Sequence, residues 1–175
     1  MKHLSVGRPE KSEYAFYYET YISLVEGNDV IANLEAQILE TSALLEGVSE
    51  IAGTFRYAEG KWSVKELIGH IIDTERVMAY RALRIARNDQ TPIEGFEQEP
   101  YIENSNFDAR NMNSLIEEFA ALRRSNIIMF SNFAETAWTR MGTASENPVS
   151  ARALAYIIAG HELHHIKILR ERYLN

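Results

Sequence analysis

Three histidines carry the chemistry that this sequence can support. The segment Gly160-His161-Glu162-Leu163-His164-His165 sets His161 and His165 four residues apart. In a helix, that spacing stacks two imidazoles on one face, one turn apart, where they can grip a single metal ion. His164 projects in a different direction and is not expected to be a ligand. A third donor must come from another element. His70 lies between Leu67 and Thr74 on the inward face of an earlier helical stretch. Three protein nitrogens would leave a coordination position open, the arrangement of a reactive metal site rather than a closed structural one. Hydrogen-bonded core histidines are the competing reading. His161 to His165 also reads H-E-x-x-H, which keeps a metalloprotease formally open, although the mixed α/β lobe that such enzymes usually carry is not evident.

Near these residues stand groups that could assist. Asp73 or Glu75 could accept an imidazole N–H and fix its tautomer. Each could equally form a salt bridge, to Arg76 or to a neighbouring helix. Arg81 lies nearly in line with His70, three turns along. It could meet an anionic substrate group or close a buried ion pair. Trp62 and Trp138 read as packing at the bundle ends rather than as substrate platforms.

The elements that must position these groups are helices. Apolar residues at Val30, Leu34, Ile38 and Leu45 step by three or four after a capping Asp29. Ser63 and Glu66 form a capping box that opens a helix running to about Asn88. Its inward stripe includes Leu67, His70, Ile71, Thr74, Val77, Met78 and Arg81. A third helix, capped by Asn113 or Ser114, runs through Phe133 with Leu115, Phe119, Leu122, Asn126 and Met129 inward. The last spans about Val149 to Tyr173. A shorter, tyrosine-rich helix is expected over Pro9–Val25. The connection from Asp89 to about Met112 is long for a bundle, which marks it as a candidate functional loop. Without convincing strand alternation, the expected class is all-α, a four-helix bundle in one domain over residues 1–175.

Composition narrows the function. The chain has 175 residues, no cysteine and a formal net charge of −7. Thiolate ligands and disulfides are thereby excluded, and any nucleophile or ligand of the chain is N or O based. The acidic balance argues against nucleic acid as a partner, and the basic residues in Arg76–Arg87 read as a solvated face. No apolar run approaches the length of a membrane span, and the N-terminus MKHLSVGRPEKSEY has no signal-like apolar core. A cytoplasmic location is expected.

The segments GKWSVKELIGHIIDTERVMAYRALRIARND and ALAYIIAGHELHHIKILRERY resemble the DinB-like superfamily. These damage-inducible proteins include bacillithiol transferase-like and mycothiol-dependent enzymes. The resemblance extends from about Tyr14 to Tyr173. It rests on W-S-x-x-E-x-x-x-H combined with the later G-H-x-x-H-H. It implies a four-helix bundle with a long crossover connection, often a homodimer, and a metal-binding triad at His70, His161 and His165. It further implies nickel, zinc or iron as the ion and activation of a small thiol as the activity; a Lewis-acidic ion at such a site could also activate water. The alternatives are a metal-dependent hydrolase and a non-catalytic, stress-response dimeric bundle.

Overall fold

The computed structural model describes residues 6–174. In chain order the helices are α1 (Glu19–Ile22), α2 (Val30–Glu46), α3 (Glu50–Gly53), α4 (Val64–Ala86), α5 (Gln98–Glu103), α6 (Met112–Ser131) and α7 (Ala151–Ile168). The two strands β1 (Met141–Ala144) and β2 (Asn147–Ser150) form an antiparallel hairpin. The long helices α2, α4, α6 and α7 make the bundle.

Each long helix opens on a side-chain cap that satisfies an otherwise orphaned backbone N–H. Asp29 accepts from the Ala32 N–H at 3.0 Å, and Ser63 from that of Glu66 at 3.0 Å. Glu66 reaches back to the Ser63 N–H at 2.8 Å, which completes the expected capping box. Ser150 caps α7 through the Ala153 N–H at 3.0 Å. The cap of α6 is Asn111, not Asn113 or Ser114; its side chain accepts from the Ser114 N–H at 2.7 Å.

Helix α4 packs along α7, and α2 along α6; contacts of α4 with α6 and of α2 with α7 close the ring. Successive long helices α2 and α4 therefore lie across the bundle from one another, as do α6 and α7. The chain crosses the bundle end between α2 and α4, and again between α6 and α7. This crossover brings His70 on α4 beside His161 and His165 on α7.

The core divides into two apolar clusters. One contains Leu34, Met78, Phe130, Trp138 and Ile157. The other contains Leu45, Ile71, Ile72, Phe119 and Ile166. Between them every long helix contributes buried polar side chains: Gln37 and Thr41 from α2, His70, Thr74 and Glu75 from α4, Arg123 and Asn126 from α6, His161 and Glu162 from α7. A polar layer thus crosses the whole bundle.

Local structure departs from the sequence expectation in four further places. Residues 9–25 form two 3₁₀ turns, Lys11–Glu13 and Phe16–Tyr18, and the single-turn α1, rather than one helix. The reason is competition for backbone and side chains. Arg8 donates to the carbonyls of Ile22, Val25 and Gly27, and Arg152 and Ser150 hold the Glu13 carboxylate. The connection between α4 and α6 is partly ordered by α5 and a 3₁₀ turn. On α6, Arg123 and Phe130 are fully buried, while Leu122 and Met129 are only half-buried, so the inward face is rotated from the apolar stripe. The hairpin β1–β2 turns through Ser145 and Glu146, both with positive φ. Neither is the glycine or asparagine that usually announces such a turn.

Candidate metal centre

The imidazoles of His70, His161 and His165 converge. The Nε2 atoms of His70 and His161 lie 3.0 Å apart, and those of His165 and His161 3.1 Å apart. One ring nitrogen from each of the three falls within 4.8 Å of the others. Two nitrogens each about 2.0–2.1 Å from one ion, at right or tetrahedral angles, stand roughly 2.9–3.4 Å apart. The donor set therefore fits a divalent ion in both chemistry and spacing. His164 is not part of the group; its ring stands edge-on to Tyr21 at a centroid distance of 5.4 Å. His3 falls outside the described residues.

Burial sets the protonation of the triad. It lowers the His70 pKa to about 4. Burial, together with the neighbouring imidazoles His70 and His164, lowers His165 to about 3. His161 is lowered as well, by burial first and then by the surrounding histidines. All three are neutral at ordinary pH, the form that binds metal.

The candidate supporting residues divide. Thr74 Oγ1 stands 3.5 Å from His70 Nδ1, a long contact at best. Asp73 does not meet the triad; it pairs with Arg76 at 3.6 Å. Glu75 is also turned elsewhere. Its two oxygens accept from Arg123 at 2.9 Å each, and Asn126 donates to the same carboxylate at 3.0 Å. Glu162 faces this network too, 2.5 Å from Arg123 and accepting from Thr41 at 2.6 Å. The glutamate of H-E-x-x-H is thus held by a guanidinium and a hydroxyl, so the general-base role that a metalloprotease would give it does not fit.

Two cavities reach the triad. One, of about 380 Å³, touches His70 and His161 and is walled by Tyr17, Tyr18, Tyr21 and Phe96, with Arg81 in its lining. The other, of about 200 Å³, reaches His165 between Trp62, Tyr57 and Tyr173. Trp62 belongs to the site and not merely to the bundle end: its ring lies 4.8 Å from that of His70. Trp138, by contrast, packs in the core against Phe130 and Phe133, as expected. Sequence alone does not single out the tyrosines as site residues. What places Tyr21 is Gly160, where a Cβ would come within 2.1 Å of the Tyr21 carbonyl oxygen. The glycine immediately before His161 is the signal that could have pointed to this close approach.

Comparison with known proteins bears on this arrangement. A sequence profile described as the DinB superfamily matches residues 33–169, a span that holds all three histidines. The chain belongs to the DinB superfamily. No match to a curated protein was found. Among solved structures, YfiT from Bacillus subtilis superposes with a TM-score of 0.70 at 14% identity, over 93% of this chain and 89% of YfiT. YfiT is described as a probable metal-dependent hydrolase with an unusual four-helix bundle topology. The DinB-like protein YjoA, also from Bacillus subtilis, gives a TM-score of 0.58 at 22% identity, over 82% of this chain and 87% of YjoA. At these identities the likeness establishes the DinB-like four-helix bundle, and the helical expectation is met but for one small two-stranded sheet.

Proposed function

We propose that this chain holds one divalent ion on His70, His161 and His165 and uses it to activate a small nucleophile, a low-molecular-weight thiol or water, against a small-molecule substrate. The observation that supports the reading is the convergence of three neutral imidazoles on the walls of two cavities. A purely structural site would be closed by a fourth protein ligand, and among the described residues the group contains only these three. The ion would supply Lewis acidity, lowering the pKa of a thiol or water placed beside it. An all-imidazole set suits nickel, zinc or iron(II). The description of YfiT as a probable metal-dependent hydrolase favours water as the nucleophile, and the broader DinB-like resemblance favours a thiol. A cytoplasmic, single-domain homodimer completes the proposal, with neither nucleic acid nor membrane as partner. Among the described residues, no helix is long and apolar enough to cross a membrane.

The chain's own part is to hold and shield. His161 and His165 share one helical turn, and the crossover topology presents His70 to them from α4. Trp62 packs on the His70 ring and Tyr21 stands edge-on to that of His161, so aromatic side chains line the imidazole cluster.

Elemental analysis of the purified protein tests the proposal. About one equivalent of a divalent ion per chain is expected. His70→Ala, His161→Ala and His165→Ala should each lose most of it on dialysis against a chelator, while His164→Ala should retain it. Full retention in all three triad variants would overturn the assignment. Assays of ester or amide hydrolysis against thiol transfer to an electrophile then separate the two nucleophiles. Metal without turnover in either would favour the non-catalytic alternative.

A further inference from the structure

Arg81 is only 2% exposed, yet no carboxylate among the described residues pairs with it. Its Nη2 donates to the Glu94 carbonyl at 2.8 Å and to Ser145 Oγ at 3.1 Å. Its Nη1 meets the Met78 sulfur at 3.7 Å, and its Nε has no partner. The Tyr18 hydroxyl is also near, but burial holds the phenol pKa above its ordinary value, so it brings no negative charge. The guanidinium has five N–H donors and no way to shed its charge. A buried cation left in this state is costly unless an anion arrives.

The surroundings hold the group in place. Ile93 and Ser145 exchange backbone bonds with the hairpin and the loop before α5: Ile93 N–H to the Thr143 carbonyl and Ser145 N–H to the Ile93 carbonyl, both at 2.9 Å. These bonds, and the positive φ of Ser145, fix the two oxygen acceptors under one end of the guanidinium. The Phe96 ring lies against it, with the guanidinium carbon 5.7 Å from the ring centroid. Arg81 lines the same cavity as His70 and His161.

We propose that this cavity recognises a carboxylate, with Arg81 as its anchor. A substrate bound there would place its carboxylate on the guanidinium and its reacting end at the triad. The term substrate rests on the function proposed above; carboxylate binding itself does not need the metal. One guanidinium offers a single positive charge, and the exposed Glu97 also lines the cavity. That balance favours a monoanionic carboxylate over a dianionic phosphate. The aromatic wall of Tyr17, Tyr18, Tyr21 and Phe96 favours an apolar or aryl body behind the carboxylate. His70 and Arg81 are eleven positions apart, about 16 Å along the helix axis at its ordinary rise. The Arg81 side chain shortens that span by leaning toward the helix N-terminus. A small acid, with several bonds between its carboxylate and its reacting group, fits.

The experiment is calorimetric titration with 4-phenylbutyrate and its neutral analogue 4-phenylbutyramide, on metal-loaded and on chelator-treated protein. The wild type is expected to bind the acid at least about tenfold more tightly than the amide, as a charge-assisted pair requires, with or without metal. Arg81→Met should bring the two within about twofold, and Arg81→Lys should retain part of the preference. Equal binding of acid and amide by the wild type overturns the proposal, as does no binding of either at millimolar concentration. So does a preference that survives Arg81→Met but vanishes on chelation. The carboxylate would then sit on the ion, and the metal reading would stand while this one fell. An Arg81-dependent preference in protein that never acquires metal would support carboxylate recognition while the metal reading fell.

Discussion

Two arginines are buried in this bundle, and the molecule treats them differently. Arg123, on α6, is fully buried and meets two carboxylates: Glu75 in a two-pronged pair at 2.9 Å and Glu162 at 2.5 Å. Gln37 accepts a further bond from it at 3.1 Å. Arg81, on α4, is buried almost as deeply but has only neutral neighbours: a carbonyl, hydroxyls and a thioether. The first is a finished structural element, since its cation meets carboxyl groups from two other helices inside the protein. The second is incomplete, and it faces a cavity. The three histidines, on the same helices α4 and α7, avoid the cost of burial by giving up their protons. The same polar layer thus contains a knot that holds the helices together and an edge left open for a ligand.

The comparison is broken most sharply at Arg123. Arg123→Met strands Glu75 and Glu162 without a cation in the core. Losing one member of a buried ion pair costs about 3–5 kcal/mol. At about 2–4 °C per kcal/mol for a chain of this size, thermal melting should fall by roughly 6–20 °C. A melt shifted by no more than a degree would mean that the Glu75–Arg123–Glu162 knot carries no structural weight.

That knot also marks how far the sequence can be read. The spacing of His161 and His165 and the inward position of His70 are legible, because helical periodicity fixes which side chains share a face. The four long helices are legible for the same reason. Arg123 is not. A charged residue on α6 counts as polar, so the apolar periodicity points to Leu122 and Met129 instead. Its partners lie 48 positions away at Glu75 and on another helix at Glu162. Asp73 and Glu75 are visible as acids near His70, but which partner each chooses depends on tertiary packing. The Tyr17–Tyr21 wall is hidden because residues 9–25 take their shape from Arg8 and Arg152, not from their own propensity.

The triad histidines give the next effect. Their pKa values are depressed in the fold, to about 4 for His70 and about 3 for His165. The unfolded chain binds protons near the ordinary histidine value, about 6.5. Metal-free protein should therefore hold this contribution above about pH 6.5 and lose it as the pH falls toward 4. Each histidine contributes a slope approaching 1.4 kcal/mol per pH unit. Denaturant melts of chelator-treated protein at pH 7, 6 and 5 should show it. A flat profile over that range would indicate that the imidazoles are more solvated than their positions suggest.

A smaller effect is expected where the open cavity meets the backbone. Gly160→Ala would drive a methyl group into the Tyr21 carbonyl, and the residue must shift or α1 must lift. Overpacking of this kind costs about 1–3 kcal/mol. The displacement should be felt in the tyrosine wall and at His161, and hardly at Arg123. Weakened binding of 4-phenylbutyrate with an unchanged Arg123 environment in a crystal structure would separate the two regions. Equal disturbance of both would show that the layer behaves as a single unit.

The smallest effect on stability, and the one that most sharpens the contrast, belongs to Arg81→Met. By fold alone the two substitutions are alike: each replaces a buried guanidinium by a thioether of similar length. By partner they are opposite. Arg123→Met leaves two anions uncompensated, whereas Arg81→Met removes a cation that had no anion. Two hydrogen bonds are lost, at Glu94 and Ser145, and each is worth about 1 kcal/mol net. Relief from burying an unpaired charge offsets them, because apolar replacement of buried charge is often neutral or stabilising. Stability should therefore change by no more than about 1 kcal/mol, in either direction, by denaturant melt at pH 7. A loss comparable to that of Arg123→Met would show that Arg81 has a structural partner after all, and the open edge of the polar layer would close.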